Sequence, residues 1–267
     1  MSIRLAPPAV PELTTAARPL AVWHTRHPWR VAAAVGLGGV LLTALGMGVV
    51  DARGLDGAPA LLVPAAFVGI SSLVGLVVMW RSRPSMADYG FRRPTALPRI
   101  LWAIPLIAVV VIVIATSEIR LVPATLAAST LLAVAVGFNE EIWFRGLLMA
   151  PLRQFGSRRS IVASAAVFGA LHLTNVLTGQ PLPHLLVQFA FACLVGFVLA
   201  EIVAVTGSLW IGIVWHVVYD AVAFTVVDDF TDRGLVGLTL IVVGLTAYAA
   251  WLWRTLPVDG PRVAVAG

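Results

Sequence analysis

Apolar residues run through this chain in long uninterrupted blocks, without the alternation or one-sided stripes of a soluble domain. Eight blocks come near or exceed the roughly 20 residues that carry a helix across the hydrocarbon of a bilayer. They cover about 31–50, 59–80, 98–117, 121–150, 160–177, 184–205, 208–227 and 234–254. The pattern predicts an all-α fold, a polytopic membrane helix bundle with about eight transmembrane helices occupying residues 31–256. The fourth block is over-long and holds a charged cluster, so it is expected to extend into the interface or break near it. A tight turn around Glu118, Arg120 and Pro123 separates the third block from the fourth. Residues 1–30 carry four Arg and several Pro with no early apolar core, which reads as a tail and not as a cleaved signal peptide. Asp88 to Pro98 reads as a short interfacial segment and 257–267 as a C-terminal tail. Neither end carries a lipidation motif. No internal repeat or linker sets off a second domain.

Composition agrees with this layout. The chain is 60% hydrophobic and only 12% charged, against roughly a quarter charged in a soluble domain, so the surplus apolar surface must face lipid. Charge then gives the blocks a direction. All 18 basic residues are Arg. Fourteen fall in the N-terminal tail, the 81–99 and 151–159 loops and the C-terminal tail; three, Arg53, Arg120 and Arg233, fall on the other side. This positive-inside bias predicts that both termini are cytoplasmic, and the all-Arg composition points to a bacterial plasma membrane. The opposite face carries Asp51, Asp56, Glu118, Asp228, Asp229 and Asp232. Because the arginines are scattered between apolar runs and not gathered on a face, a nucleic-acid partner is excluded. Cys193, the only cysteine, cannot form an intrachain disulfide and reads as a small core residue.

Ionisable groups inside a span cost about 2.5–3.5 kcal/mol even on lenient insertion scales and usually face a protein interior or a wet cavity. Here they are Glu140, Glu141, Arg145, His172, Glu201, His216 and Asp220. Glu141 and Arg145 stand four apart on one helix and can pair. Glu140 is turned by about 100° from Glu141 and is free to point into a cavity. Phe168 and His172 are four apart on the fifth span, and His216 and Asp220 on the seventh. Counting helix rise from the arginine-bearing loops puts Glu140, His172 and His216 roughly 20, 20 and 12 Å from that face, so the three clusters can meet in its half of the bilayer or near the midplane. Glu201 is expected to snorkel or pair near the interface, and His184, beside Pro183, to sit at the far boundary. Ala163, Ser164, Ala166, Gly169 and Ala170 give the fifth span a small-residue face for close helix packing.

A carboxylate with two histidines can activate water and stabilise a tetrahedral oxyanion. Glu140 would act as general base with His172 holding the water in reach. His216, oriented by Asp220, would donate to the oxyanion. The set Glu140, His172 and His216 equally suits a divalent metal such as zinc; no organic cofactor is expected. Arg145 would compensate the buried Glu141. A polar relay in a transporter would need a continuous polar path and an inverted repeat, and neither is visible.

Glu140-Glu141-Ile-Trp-Phe-Arg145, Phe168 to His172, and His216 to Asp220 resemble the EExxxR, FxxxH and HxxxN/D motifs of the CPBP intramembrane protease family. That family includes type II CAAX prenyl proteases and bacteriocin-immunity proteins. The resemblance covers about residues 121–225. It implies that Glu140 and His172 activate the attacking water, that His216 and Asp220 form the oxyanion side, and that Glu141 and Arg145 support the site. The family is commonly termed metalloproteases, though glutamate-activated water without a tightly held metal also fits. The implied activity is hydrolysis of a peptide bond in a membrane-associated protein or peptide, with or without a prenyl group. The alternative is a non-catalytic membrane scaffold or immunity protein using the same polar site for binding. Asp220 stands where prenyl proteases of eukaryotes typically carry Asn, which sets prenyl processing in particular apart. The HExxH and GxGD motifs of other intramembrane proteases are missing, and Ser208 after Gly207 is not in a rhomboid-like setting.

Overall fold

The computed structural model describes residues 27–82, 84–94, 101–227 and 231–256. The expected tails, the residues 95–98 of the interfacial segment, and Asp228 and Asp229 lie outside the described residues. Every apolar block becomes a helix. α1 spans Pro28–Arg53, with proline in the first turn, where a missing N–H costs nothing. α1 stops at Gly54, whose φ of 57° is left-handed. α2 spans Gly57–Arg81. A 3-10 turn, Leu101–Ala103, leads into α3, Ile104–Thr116. α4 spans Pro123–Glu140 and runs on as a π-helical segment, Glu141–Leu148, and a last turn, Met149–Leu152. α5 spans Ser157–His172 and continues as a 3-10 stretch, Leu173–Thr178. α6, α7 and α8 span Leu182–Thr206, Trp210–Ala223 and Asp232–Thr255. α1, α2, α6 and α8 are long and apolar enough to cross a bilayer by themselves.

The over-long fourth block does change character at the charged cluster. The change is from α to π winding between Glu140 and Glu141. Single π segments inside α-helices recur at functional sites, and all eight residues of this one are buried.

Short connections make successive helices antiparallel, and hydrogen bonds tie the two ends of the bundle together. At one end Leu209 N–H donates to the Gly90 carbonyl at 2.9 Å and Arg92 Nε to the Gly207 carbonyl at 2.8 Å. At the same end Arg153 donates to the Asp88 carbonyl at 2.8 Å and Arg158 to that of Trp253 at 3.2 Å. The 84–94 segment is therefore pinned across the α6–α7 turn. At the other end Arg120 N–H donates to the Thr225 carbonyl at 2.8 Å and Arg233 to that of Ala115 at 2.9 Å. The arginine asymmetry read from the sequence thus corresponds to two physical ends, one Arg-rich and one Arg-poor.

Two apolar clusters flank the middle of the bundle. One joins α3, α6, α7 and α8 through Leu106, Leu199, Ile202, Trp215 and Leu245. The other joins α2, the π segment and α5 through Met79, Ile142, Phe144, Leu148 and Phe168. Elsewhere Leu37, Leu73, Ile107 and Val243 are exposed, as a lipid-facing surface requires. The small-residue face of α5 packs as expected: a Cβ on Gly169 would lie 3.2 Å from the Cys193 backbone nitrogen on α6. At the α4–α7 crossing a Cβ on Gly137 would lie 2.9 Å from the Val217 nitrogen. That crossing sets the end of α4 directly against the middle of α7.

Candidate functional site

His216 is the centre of the polar cluster. Its side chain projects from α7 between the two consecutive glutamates at the end of α4. Nδ1 is hydrogen-bonded to Glu141 Oε1 at 3.2 Å, and Nε2 stands 3.2 Å from Glu140 Oε2 in an ion-pair contact. A carboxylate can only accept, so Nδ1 is the donor to Glu141. Asp220 Oδ2 lies 3.9 Å from Nε2, beyond hydrogen-bonding reach. The expected pairing of Asp220 with His216 is therefore an ion-pair contact and not a hydrogen bond; the hydrogen bond on the ring goes to Glu141, which the α4–α7 crossing delivers to the Nδ1 side.

Glu141 and Arg145 form the anticipated i, i+4 pair at 3.0 Å, and both side chains are fully buried. The Arg145 guanidinium also lies 4.2 Å over the Phe168 ring. Phe168 stands edge-on to His172 at 4.6 Å and to His216 at 6.2 Å between ring centroids, so one aromatic ring spaces three charged or chargeable groups. His172 Nδ1 is hydrogen-bonded to the Phe168 carbonyl at 2.8 Å, which leaves Nε2 as its outward nitrogen.

Space for the Glu141 carboxylate is made by a glycine that sequence reasoning passed over. A Cβ on Gly212 of α7 would come within 2.7 Å of Glu141 Oε2. The spacing Gly212 to His216 is one helical turn, but nothing in the sequence says which helix faces that turn.

A cavity of about 330 Å³ is lined by Phe168, His172, His216 and Asp220 at its inner part. Its further lining comes from Thr116 and Ser117 at the end of α3, Gln180 and His184 at the start of α6, and Phe224 and Val226 beyond α7. All of these belong to the Arg-poor end. The cavity thus extends towards the Arg-poor end, which agrees better with the midplane than with the Arg-rich half, the two placements expected. α5 has only 16 residues, so the 13 residues from Arg159 to His172 use up nearly all of it and leave His172 at its Arg-poor terminus. His184, taken as a boundary residue, lines this cavity. Glu201 does not snorkel: it is fully buried and neither carboxylate oxygen has a hydrogen-bond partner. It lies on the α6 face turned into the bundle.

Among the described residues no three His, Cys, Asp or Glu side chains are gathered as a metal-ligand group. His216 has Nδ1 committed to Glu141, and His172 has Nδ1 committed to a backbone carbonyl. An Nδ1 held in this way is also usual in a metal-ligating histidine, so it is the lack of a three-donor group among the described residues, and not these bonds, that leaves Glu140, His172 and His216 without a ligand-like arrangement.

These features define a class: a helical integral membrane protein with a buried Glu–His cluster at the inner end of a polar cavity. Residues 122–222 match the family described as type II CAAX prenyl endopeptidase Rce1-like. That stretch runs from the start of α4 almost to the end of α7 and holds all three motifs, so this part of the chain is similar to the CPBP and CAAX protease family. No curated protein and no solved structure matches the chain.

Proposed function

We propose that this protein is an intramembrane endopeptidase that hydrolyses a peptide bond in a membrane-associated protein or peptide, with its Arg-rich end cytoplasmic. The observation that carries the reading is the 3.2 Å contact of Glu140 with His216, a residue that lines a cavity together with His172 and Asp220. Glu140 accepts a proton from a water as its oxygen attacks the substrate carbonyl carbon. The carbonyl oxygen becomes an oxyanion, and His216 in its imidazolium form, with Nδ1–H held by Glu141, turns its Nε2–H from Glu140 to it as Glu140 takes up the water's proton. Glu140 then delivers the proton to the leaving amine as the carbon–nitrogen bond breaks. Glu141 acts through His216, holding its ring from the Nδ1 side, and Arg145 balances Glu141. Asp220 borders the oxyanion side without bonding to the ring.

The test uses purified protein in lipid nanodiscs and quenched fluorescent peptides ending in a CAAX box, with and without a prenyl group. Wild-type protein is expected to cleave, and Glu140→Gln and His172→Ala to lose about 10²-fold or more in rate while keeping their melting temperature. Full activity in Glu140→Gln would sink the mechanism. Complementation of a wild-type phenotype by that variant would favour the scaffold or immunity reading.

A further inference from the structure

A peptide bond open to attack cannot be inside a helix, so the substrate segment must lie extended in the cavity. Within a membrane, non-helical backbone is tolerated only where protein or water satisfies its N–H and C=O groups. Glu140, Glu141 and His216 are occupied with one another. The backbone of the bound segment must find its partners further out, along the Arg-poor part of the cavity.

Two carboxamides line that part, Gln180 before α6 and Gln188 on its second turn. Gln180 Oε1 is buried with no hydrogen-bond partner among the described residues, where an unmet polar atom is costly; the residue lines the cavity, so a change of rotamer brings that acceptor to a bound segment. Gln188 Oε1 accepts from Asn175 Nδ2 at 2.9 Å. That bond fixes the orientation of the amide and leaves its NH₂ group as the donor for the cavity. Beyond them the lining turns apolar, with Phe191, Val195, Leu238 and Ile241, suited to side chains of an extended segment.

We propose that Gln180 and Gln188 form a main-chain clamp for the substrate, with Gln180 accepting from a peptide N–H and Gln188 donating to a peptide carbonyl. This rests on the endopeptidase reading and supplies its substrate class: an extended, apolar peptide segment entering from the Arg-poor end. Both residues are positioning residues and take no proton in the reaction.

The experiment measures binding separately from cleavage. Glu140→Gln protein in nanodiscs is titrated with a fluorescent prenylated CAAX-box peptide, followed by anisotropy, and with analogues in which each backbone N–H in turn is N-methylated. Adding Gln180→Leu or Gln188→Leu is expected to weaken binding about tenfold each. One N-methylated analogue is expected to bind about tenfold more weakly to the Glu140→Gln protein yet to show no further loss with Gln180→Leu. Unchanged affinity in both leucine variants overturns the clamp, as does a loss that is the same for every analogue. If a leucine variant fails to melt cooperatively, the N-methyl scan decides: a scan in which no position matters overturns the clamp. Cleavage by wild-type protein with normal binding by the Gln variants removes the clamp and keeps the endopeptidase. Clamp-dependent binding without wild-type cleavage keeps the clamp and removes the endopeptidase. Failure to bind any peptide removes the clamp.

Discussion

Gly212→Ala isolates the contact that orients His216. The added methyl would stand 2.7 Å from Glu141 Oε2, and ordinary contact begins near 3.4 Å, so the carboxylate must withdraw by about 0.7 Å. The other oxygen of that carboxylate holds both Arg145 at 3.0 Å and His216 Nδ1 at 3.2 Å, so it is carried along. A hydrogen bond to a charged group contributes about 1.5–3 kcal/mol, while Gly→Ala inside a helix returns about 1 kcal/mol. The net cost is about 0.5–2 kcal/mol, or a fall of a few degrees in Tm for a chain of this size. Displacements on this scale near a reacting centre cost up to about 10²-fold in rate. Thermal unfolding and peptide hydrolysis in nanodiscs measure the two effects. Gly244→Ala is the control, because a Cβ there meets nothing within 4 Å. Equal stability and activity in Gly212→Ala and wild type would refute the orienting role of Glu141, and so would equal damage from Gly244→Ala.

Arg145→Met leaves Glu141 buried without its counter-charge and is expected to cost about 3–5 kcal/mol in unfolding free energy; adding Glu141→Gln should restore most of it, and no recovery in the double variant would contradict the pairing. Asp220→Asn keeps the shape of a side chain that lies too far from His216 to bond to it, so kcat/KM is expected to stay within about tenfold, a change of about 1.4 kcal/mol in barrier; a loss beyond about 10²-fold would return the orienting role to Asp220. Tyr89, buried at the Arg-rich end, shares a 2.6 Å hydrogen bond with Ser82, and burial pushes its phenol above the ordinary 10.0. The unfolded phenol therefore ionises first as pH rises past about 10, so stability is full below that pH and falls above it. Tyr89→Phe lacks this fall: its stability deficit at neutral pH, about 0.5–1.5 kcal/mol, should shrink in alkali, and parallel stability–pH curves would show that Tyr89 is not the group responsible.

The helices and the two-ended distribution of arginine were legible because both follow from one-dimensional patterns: length of apolar run and placement of charge. The pairing of Glu141 with Arg145 was legible for the same reason, being set by helical spacing alone. What joins α4 to α7 was not. The Glu141–His216 bond exists because Gly137 lets α4 meet the backbone at Val217 and Gly212 leaves room for a carboxylate, and glycines on two helices do not announce that they face each other. Depth was legible only in part. Rise per residue left the Arg-rich half and the midplane both open, and the end of α5, which puts His172 at its Arg-poor terminus, decides between them. Gln180 and Gln188 carried no signal, since uncharged amides near a helix start are ordinary interface residues until a cavity is seen beside them.

The two consecutive glutamates divide their work through helical geometry. Neighbours on a helix differ in direction by about 100°, so two adjacent carboxylates can reach opposite nitrogens of an imidazole inserted between them. The residue whose direction is repeated four positions later by an arginine becomes the fixed one. Glu141 has that arginine, lies fully buried and is packed against Gly212. Glu140 has no such neighbour, keeps 20% of its side chain exposed although Oε2 itself is buried, and meets Nε2 of His216. A general base must exchange protons with a water, which needs access and a single mobile partner, while a group that sets a ring's tautomer needs burial and several. Identical side chains one residue apart thus meet opposite requirements, and the role of base proposed for Glu140 rests on this asymmetry independently of any motif.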